Sequence, residues 1–247
     1  MRLNAYLASC GAASRRKSET IILEGRVRVN NKIILLPYFD VDLDHDEVKL
    51  DGKVIKPEGH VYIVMNKPVG YVCAVSDKYD PVVIDLLSSE DKLTRVFPVG
   101  RLDRDSEGLL ILTNDGELAN NITHPSKGVN KEYEALLNIE INLKQLERWR
   151  GGFDIELEDG GTKNIKPLAV NVIEDREPLN RWLSIIIAEG VKREIRLMAN
   201  KAGFAVQRLI RVKVGNMQLD DFNLSPGEYV KLSCSEINDK IFNRPGR

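Results

Sequence analysis

Apolar residues recur along the chain in two rhythms, and the rhythm changes where turn residues fall. Leu3, Tyr6 and Leu7 share one face at helical spacing, and Ile21, Ile22 and Leu23 close a second such stretch before Gly25. Helices are therefore predicted over residues 3–9 and 15–24, the second with Ser14 as its N-cap. Alternation then takes over. Arg26-Val27-Arg28-Val29 and Lys32-Ile33 flank Asn30-Asn31 as a hairpin, and Glu47-Val48-Lys49-Leu50 stops at the turn Asp51-Gly52. Gly52, Pro57 and Gly59 mark residues 51–60 as a linker. Beyond it, residues 61–68 read as a strand, with 71–75 pairing back across Val69-Gly70. A short helix over 82–87, a helix over 117–123, a strand over 130–139 and a helix over 143–150 stopped by Gly151-Gly152 follow. Residues 182–188 form a further strand, broken by Gly190 before another helix.

Leu109-Leu110-Ile111-Leu112 is an unbroken apolar run too short for a helix, bounded by Gly108 and by Asn114-Asp115-Gly116. Such a run suits a strand buried on both faces. Immediately before it lies Gly100-Arg101-Leu102-Asp103-Arg104-Asp105-Ser106-Glu107, a dense cluster of charges on a loop pinned to that strand. Loops held by a rigid sheet are where reacting side chains are commonly presented. Three readings of the cluster compete: an Asp-rich loop that caps the strand, a cation-binding loop, and a catalytic carboxylate held ionised by neighbouring guanidinium groups. The cation loop fails because its twelfth position is Asn114 rather than Glu and its flanks are strands rather than helices.

Composition narrows the classes. With 247 residues and 43 % hydrophobic content, the chain can build one large domain and one small one. A formal charge of −1 means that any nucleic-acid site must arise from local segregation of charge. Such segregation exists: residues 1–34 are strongly basic and 35–58 acidic. Cys10, Cys73 and Cys234 are too scattered for a disulfide framework and read as reduced thiols of a cytoplasmic protein. Leu7-Ala8-Ser9-Cys10 imitates a lipoprotein box, but the residues before it lack an apolar signal core. No run approaches the ~20 apolar residues that span a bilayer, so no membrane role is expected. His45, His60 and His124 lack metal-ligand spacing, and no cofactor motif is present.

Gly100-Arg101-Leu102-Asp103, followed by Asp105-Ser106-Glu107-Gly108-Leu109-Leu110 and Thr113-Asn114-Asp115-Gly116, closely resembles the signature of the RsuA/RluB/RluF family of ribosomal RNA pseudouridine synthases. The resemblance implies an α+β chain. Residues 59–247 would adopt the pseudouridine-synthase fold, a mixed, mainly antiparallel central sheet flanked by helices. Residues 1–58 are similar to the small α+β RNA-binding domain named after ribosomal small-subunit protein four. By that likeness Asp103 is the catalytic residue, and Arg15, Arg16, Lys17, Arg26 and Arg28 contact the RNA backbone, fixing register rather than reading sequence.

Two further segments carry chemistry. Lys131-Glu132-Tyr133 opens a strand in which Tyr133 suits the core on propensity alone; the family pattern makes it the aromatic that stacks on the target base. Glu189-Gly190-Val191-Lys192-Arg193-Glu194-Ile195-Arg196 begins a basic stretch running through Arg208, Arg211 and Lys213, read as an exposed basic face. Within it Arg196 resembles the Arg that ion-pairs with the catalytic Asp and keeps it charged against burial. Leu209 resembles the apolar wall of the uracil pocket; Arg101, Leu102, Lys131 and Arg193 complete the expected substrate contacts. Lys192, Glu194 and Leu197 depart from the Asn, Gln and Arg common in the family, which bears on the RNA contacts of that helix.

The expected partner is ribosomal RNA or a pre-ribosomal particle, bound by a monomer, with 23S favoured over 16S by the similarity of Asn66-Lys67-Pro68-Val69-Gly70 and Thr123-His124-Pro125 to large-subunit members. The rival readings are a non-catalytic RNA-binding assembly factor and a glycoside hydrolase. The first has no need of Asp103, Tyr133 and Arg196 together. The second needs two separated carboxylates about a sugar cleft, and Asp103 and Asp105 stand too close in sequence.

Overall fold

The computed structural model of the chain describes residues 1–156, 160–188 and 190–243, so Glu189 lies outside the described residues. Two compact units result. The first comprises Met1–His60 with Leu93–Arg95, and the second comprises Val61–Lys92 with the chain from Val96 onward.

In the first unit, α1 (Leu3–Ser9) and α2 (Arg15–Leu23) pack on a small antiparallel sheet of β1 (Val27–Val29), β2 (Lys32–Ile33), β3 (Val48–Leu50) and β4 (Lys53–Val54), ordered β2-β1-β3-β4. Ser14 caps α2 by accepting from the Lys17 N–H at 3.3 Å, satisfying one of the N–H groups a helix start leaves open. Both hairpins turn on two residues at positive φ, Asn30-Asn31 and Asp51-Gly52, the backbone that matches strand twist. Leu3, Leu7, Ile22, Val27 and Val48 bury the common core, each worth about 1.5–3 kcal/mol. The expected linker at 51–60 is mostly part of this unit. Asp51-Gly52 returns the chain into β4, the Tyr6 hydroxyl donates to the Ile55 carbonyl at 3.0 Å, and the Glu58 N–H donates to the Ser9 carbonyl at 2.9 Å.

The second unit is built on β5 (Tyr62–Lys67), β6 (Phe97–Val99), β7 (Glu107–Thr113), α3 (Gly116–Thr123), β8 (Lys131–Leu137), α4 (Leu143–Gly151), β9 (Phe153–Glu156), β10 (Thr162–Ile165), β11 (Ala169–Val172), β12 (Trp182–Ile187), α5 (Glu194–Lys201), β13 (Val206–Val214), β14 (Met217–Gln218), β15 (Tyr229–Leu232) and α6 (Cys234–Phe242). The main sheet runs β11-β12-β8-β13-β7-β5-β15, with β6 paired to β7 and β14 to β13; β9 and β10 form a separate hairpin. Pairing is antiparallel except where β13 runs parallel to β7. Alternate residues of β5 and β7 enter opposite cores. Ile63, Met65, Leu110 and Leu112 meet α4 and α5 through Leu146, Trp149, Ile195 and Met198, while Val64, Leu109 and Ile111 meet α3 and α6 through Leu118, Ile122, Ile237 and Ile241. The unbroken apolar run of β7 is thus explained by burial on both faces.

One expected strand is absent. Residues 71–75 form only an isolated bridge between Val72 and Val82: the Val72 N–H donates to the Pro81 carbonyl at 2.9 Å, the Val83 N–H donates to the Val72 carbonyl at 3.0 Å, and on the side of the charged loop Leu102 N–H donates to Cys73 Sγ at 3.3 Å.

Candidate active site

The loop between β6 and β7 is fastened by its backbone, which leaves the Asp103 side chain without a hydrogen bond among the described residues. Lys67, at the end of β5, is fully buried and donates to three carbonyls: Ser106 at 2.7 Å, Pro68 at 3.0 Å and Asp103 at 3.2 Å. Burial depresses its pKa, and the convergent carbonyl oxygens supply the hydrogen bonds its charged form needs. Arg211 of β13, also buried, donates through Nε to the Leu109 carbonyl at 2.8 Å. Arg196 of α5 donates to the Asp105 carbonyl at 2.8 Å and to the Val206 carbonyl at 2.9 Å. Lys67 and Arg196 therefore hold the loop and Arg211 the start of the strand that follows it, and Asp103 projects with 28 % of its side chain exposed.

Asp103 faces a cavity of about 250 Å³. Tyr133 and Leu209 form its apolar lining, with Leu102 beneath; Lys131, Arg193, Glu194 and Arg211 supply polar walls. Ligand pockets commonly span about 300–1,000 Å³, so this one suits a single planar base better than a larger molecule. Lys131 is half-buried, donates to the Ile122 carbonyl at 3.3 Å, and has its pKa lowered first by burial and then by Arg211.

The cation nearest Asp103 is Arg193, whose Nη1 lies 3.8 Å from Asp103 Oδ2. Arg193 also grips Asp105 through two hydrogen bonds of 3.1 and 2.9 Å, and it does so from a left-handed backbone, φ 55°, at the start of α5. The expected Arg196–Asp103 pair is not formed. Arg196 approaches Asp105 Oδ2 at 3.4 Å, and its charge reaches Asp103 only at longer range. The cause is the loop turn: Ser106 N–H bonds back to the Asp103 carbonyl at 3.0 Å, which directs the 105 side chain toward α5. The expected basic face is exposed only in part: Lys192, Lys201 and Arg208 face solvent. Arg211 is buried, Arg196 is largely so, and Arg208 bonds Glu107 at 2.9 Å.

The Arg193 hydrogen bonds hold the Asp105 carboxyl below its ordinary pKa. A carboxylate so depressed adds stability above its unfolded pKa of about 3.9 and loses it as pH falls through the lower folded value. Comparing the melting temperature of the wild type with that of Asp105→Asn should show a difference at pH 7 that shrinks in acid and vanishes once the folded carboxyl is protonated. A difference that persists unchanged there would show that the pair contributes nothing through its charge.

Among the described residues no cluster of His, Cys, Asp or Glu could hold a metal ion, and no helix is long and apolar enough to cross a membrane.

Residues 61–201, which hold most of this site, match the family model described as RNA pseudouridylate synthase. A protein of Aquifex aeolicus (strain VF5) named as an RNA pseudouridine synthase is 41 % identical over 239 residues, 96 % of this chain and 92 % of that protein. The chain belongs to the RNA pseudouridine synthase family. YtzG of Bacillus subtilis (strain 168), named as another RNA pseudouridine synthase, is 35 % identical over 99 % of both proteins. SVR1, a chloroplastic protein of Arabidopsis thaliana named for ribosomal large subunit pseudouridine synthesis, is 35 % identical across 96 % of this chain and 59 % of its own length. A crystal structure titled as that of a pseudouridylate synthase superposes with a TM-score of 0.67 at 26 % identity, covering 98 % of this chain and 99 % of that one. Residues 1–48 match the S4 domain.

In this synthase's S4 domain, Arg15, Arg16 and Lys17 are exposed at the first turn of α2, and their side chains make no hydrogen bond or ion pair among the described residues. Cations oppose the macrodipole at a helix N-terminus, so the helix gains nothing from them. Arg28 donates to the Asn31 carbonyl at 3.2 Å from the exposed side of β1. Arg26, by contrast, is engaged within the domain, bidentate to Asp51 at 2.9 and 2.7 Å and 3.3 Å from Glu24. Arg101 is exposed at the cavity rim.

Proposed function

We propose that the chain converts one uridine of 23S ribosomal RNA to pseudouridine, with Asp103 as the reacting carboxylate. The observation that carries this reading is that Asp103 and Tyr133, from different elements, share one base-sized cavity. In the reaction the bond from uracil N1 to ribose C1′ breaks, the base turns, a C5–C1′ bond forms, the proton on C5 leaves to water, and N1 takes up a proton. An ionised Asp103 oxygen begins it, as nucleophile or as base toward the sugar. A uridine inside folded RNA must first be extruded, at a cost of a few kcal/mol. Stacking on Tyr133, worth roughly 1–3 kcal/mol, offsets that cost.

The S4 match and the basic start of α2 support RNA as the macromolecule held during this step. The large subunit is favoured by the name of the Arabidopsis relative and by residues 66–70 and 123–125. In this reading the protein acts as a monomer in the cytoplasm, on rRNA or an assembling particle. Pseudouridine mapping of rRNA from a strain lacking the gene tests it. Loss of a single 23S site is expected, loss of a 16S site would reassign the target, and an unchanged map would refute rRNA as substrate.

A further inference from the structure

Outside the cavity, one aromatic ring is held in water by a built turn. Tyr79 is 84 % exposed, within the segment that follows β5. Asp77 Oδ1 accepts from the Tyr79 N–H at 2.9 Å and the Asp80 N–H at 3.0 Å, which fixes the backbone and points the chain outward at position 79. Lys78 Nζ lies 5.1 Å from the ring centroid. The segment is tied to the reacting loop at several points. Asp80 Oδ1 stands 3.3 Å from Arg104 Nη2, Arg104 Nε donates to the Gly70 carbonyl at 3.2 Å, and Gly70 N–H donates to the Arg104 carbonyl at 2.7 Å. Arg104 directly follows Asp103. Val69 and Val75, 55 % and 42 % exposed, lie on the same segment.

We infer that Tyr79 is a stacking platform for an unpaired nucleotide of the substrate RNA flanking the extruded uridine. Extruding a base removes a stacking partner from its neighbours. An aromatic face beside the extrusion point replaces it, whatever the neighbouring base, because every base presents a π-face. Tyr has few rotatable bonds, and the Asp77 turn has already ordered its backbone, so little freedom is lost on contact. Lys78 adds a cation where the adjoining phosphate passes. The inference rests on RNA being the substrate, and it assigns Tyr79 to positioning, apart from the chemistry at Asp103.

Two variants of the full-length protein test it, using deproteinised rRNA from a strain lacking the gene. Tyr79→Ala should raise KM about fivefold or more while kcat stays within about twofold, and Tyr79→Phe should restore the wild-type KM. In Tyr79→Trp, adding the same rRNA should quench the new indole, against the steady emission of Trp149 and Trp182, which are 0 % and 3 % exposed. An unaltered KM in Tyr79→Ala, or an unquenched indole at saturating rRNA, overturns the inference. If the wild-type protein proves inactive on this rRNA, the proposed substrate falls and the indole signal alone decides the stacking role.

Discussion

Asp103→Asn should lose pseudouridine formation by about 10²–10⁴-fold while still binding rRNA with wild-type affinity. Asn has the shape of Asp but neither the negative oxygen that attacks nor the lone-pair basicity that takes a proton. Its loop should hold, because the contacts that fix it run through backbone carbonyls: Lys67 and the Ser106 N–H reach the Asp103 carbonyl, and among the described residues no hydrogen bond uses its side chain. The change removes one end of the 3.8 Å approach to Arg193, which retains its two bonds to Asp105. Single-turnover assays with primer-extension detection of pseudouridine, beside filter binding of the same RNA, separate the two effects. Substantial remaining turnover would remove Asp103 from its role. Loss of binding together with turnover would mean that the residue shapes the loop instead.

Gly108→Ala should destabilise the protein by on the order of 3 kcal/mol, lowering the melting temperature by roughly 6–12 °C, and should cost activity at temperatures where the fold survives. Gly108 opens β7 at φ 106°, and a Cβ there would sit 2.4 Å from the Arg211 carbonyl oxygen and 2.8 Å from the Arg211 nitrogen. Backbone cannot step aside as a flexible side chain can. The contact is the parallel β7–β13 pairing, in register at Arg211 and Gly108, and relieving the clash separates the strand that ends the reacting loop from the one that supplies Arg211 and Leu209. Gly128→Ala is the control. Gly128 also has positive φ, 65°, but nothing lies within 4 Å of its added Cβ, so only the backbone term of about 1 kcal/mol should appear. Equal melting points for the two alanine variants would contradict the close approach.

Local chemistry explains what could be read in advance. The Leu109–Leu112 run had to be buried on both sides and became β7, between β5 and β13. Asn30-Asn31 had to turn, because Asn tolerates left-handed backbone. What could not be read depends on partners distant in sequence. Lys67 and Arg211 look like surface cations, since unpaired buried charge is costly, yet they anchor carbonyls up to 39 and 110 residues away. Residues 71–75 have strand composition, but their backbone bonds go to the Pro81 carbonyl and the Val83 N–H, within the same segment, rather than to β5. Arg193 and Arg196 differ by three positions, nearly one helical turn, and the loop turn together with the left-handed entry into α5 places Arg193 nearest Asp103. The last strands and α6 follow no motif and complete the sheet through packing on β5 and β13.

Tritium release is the most direct test of the central claim that Asp103 and its cavity isomerise uridine. Purified protein is incubated with rRNA from a strain lacking the gene, labelled with tritium at uracil C5. Isomerisation must expel that hydrogen, so the account predicts label in the water equivalent to one uridine per RNA, and none with Asp103→Asn. RNA that binds and keeps its label would contradict it, leaving an RNA-binding protein with an idle carboxylate.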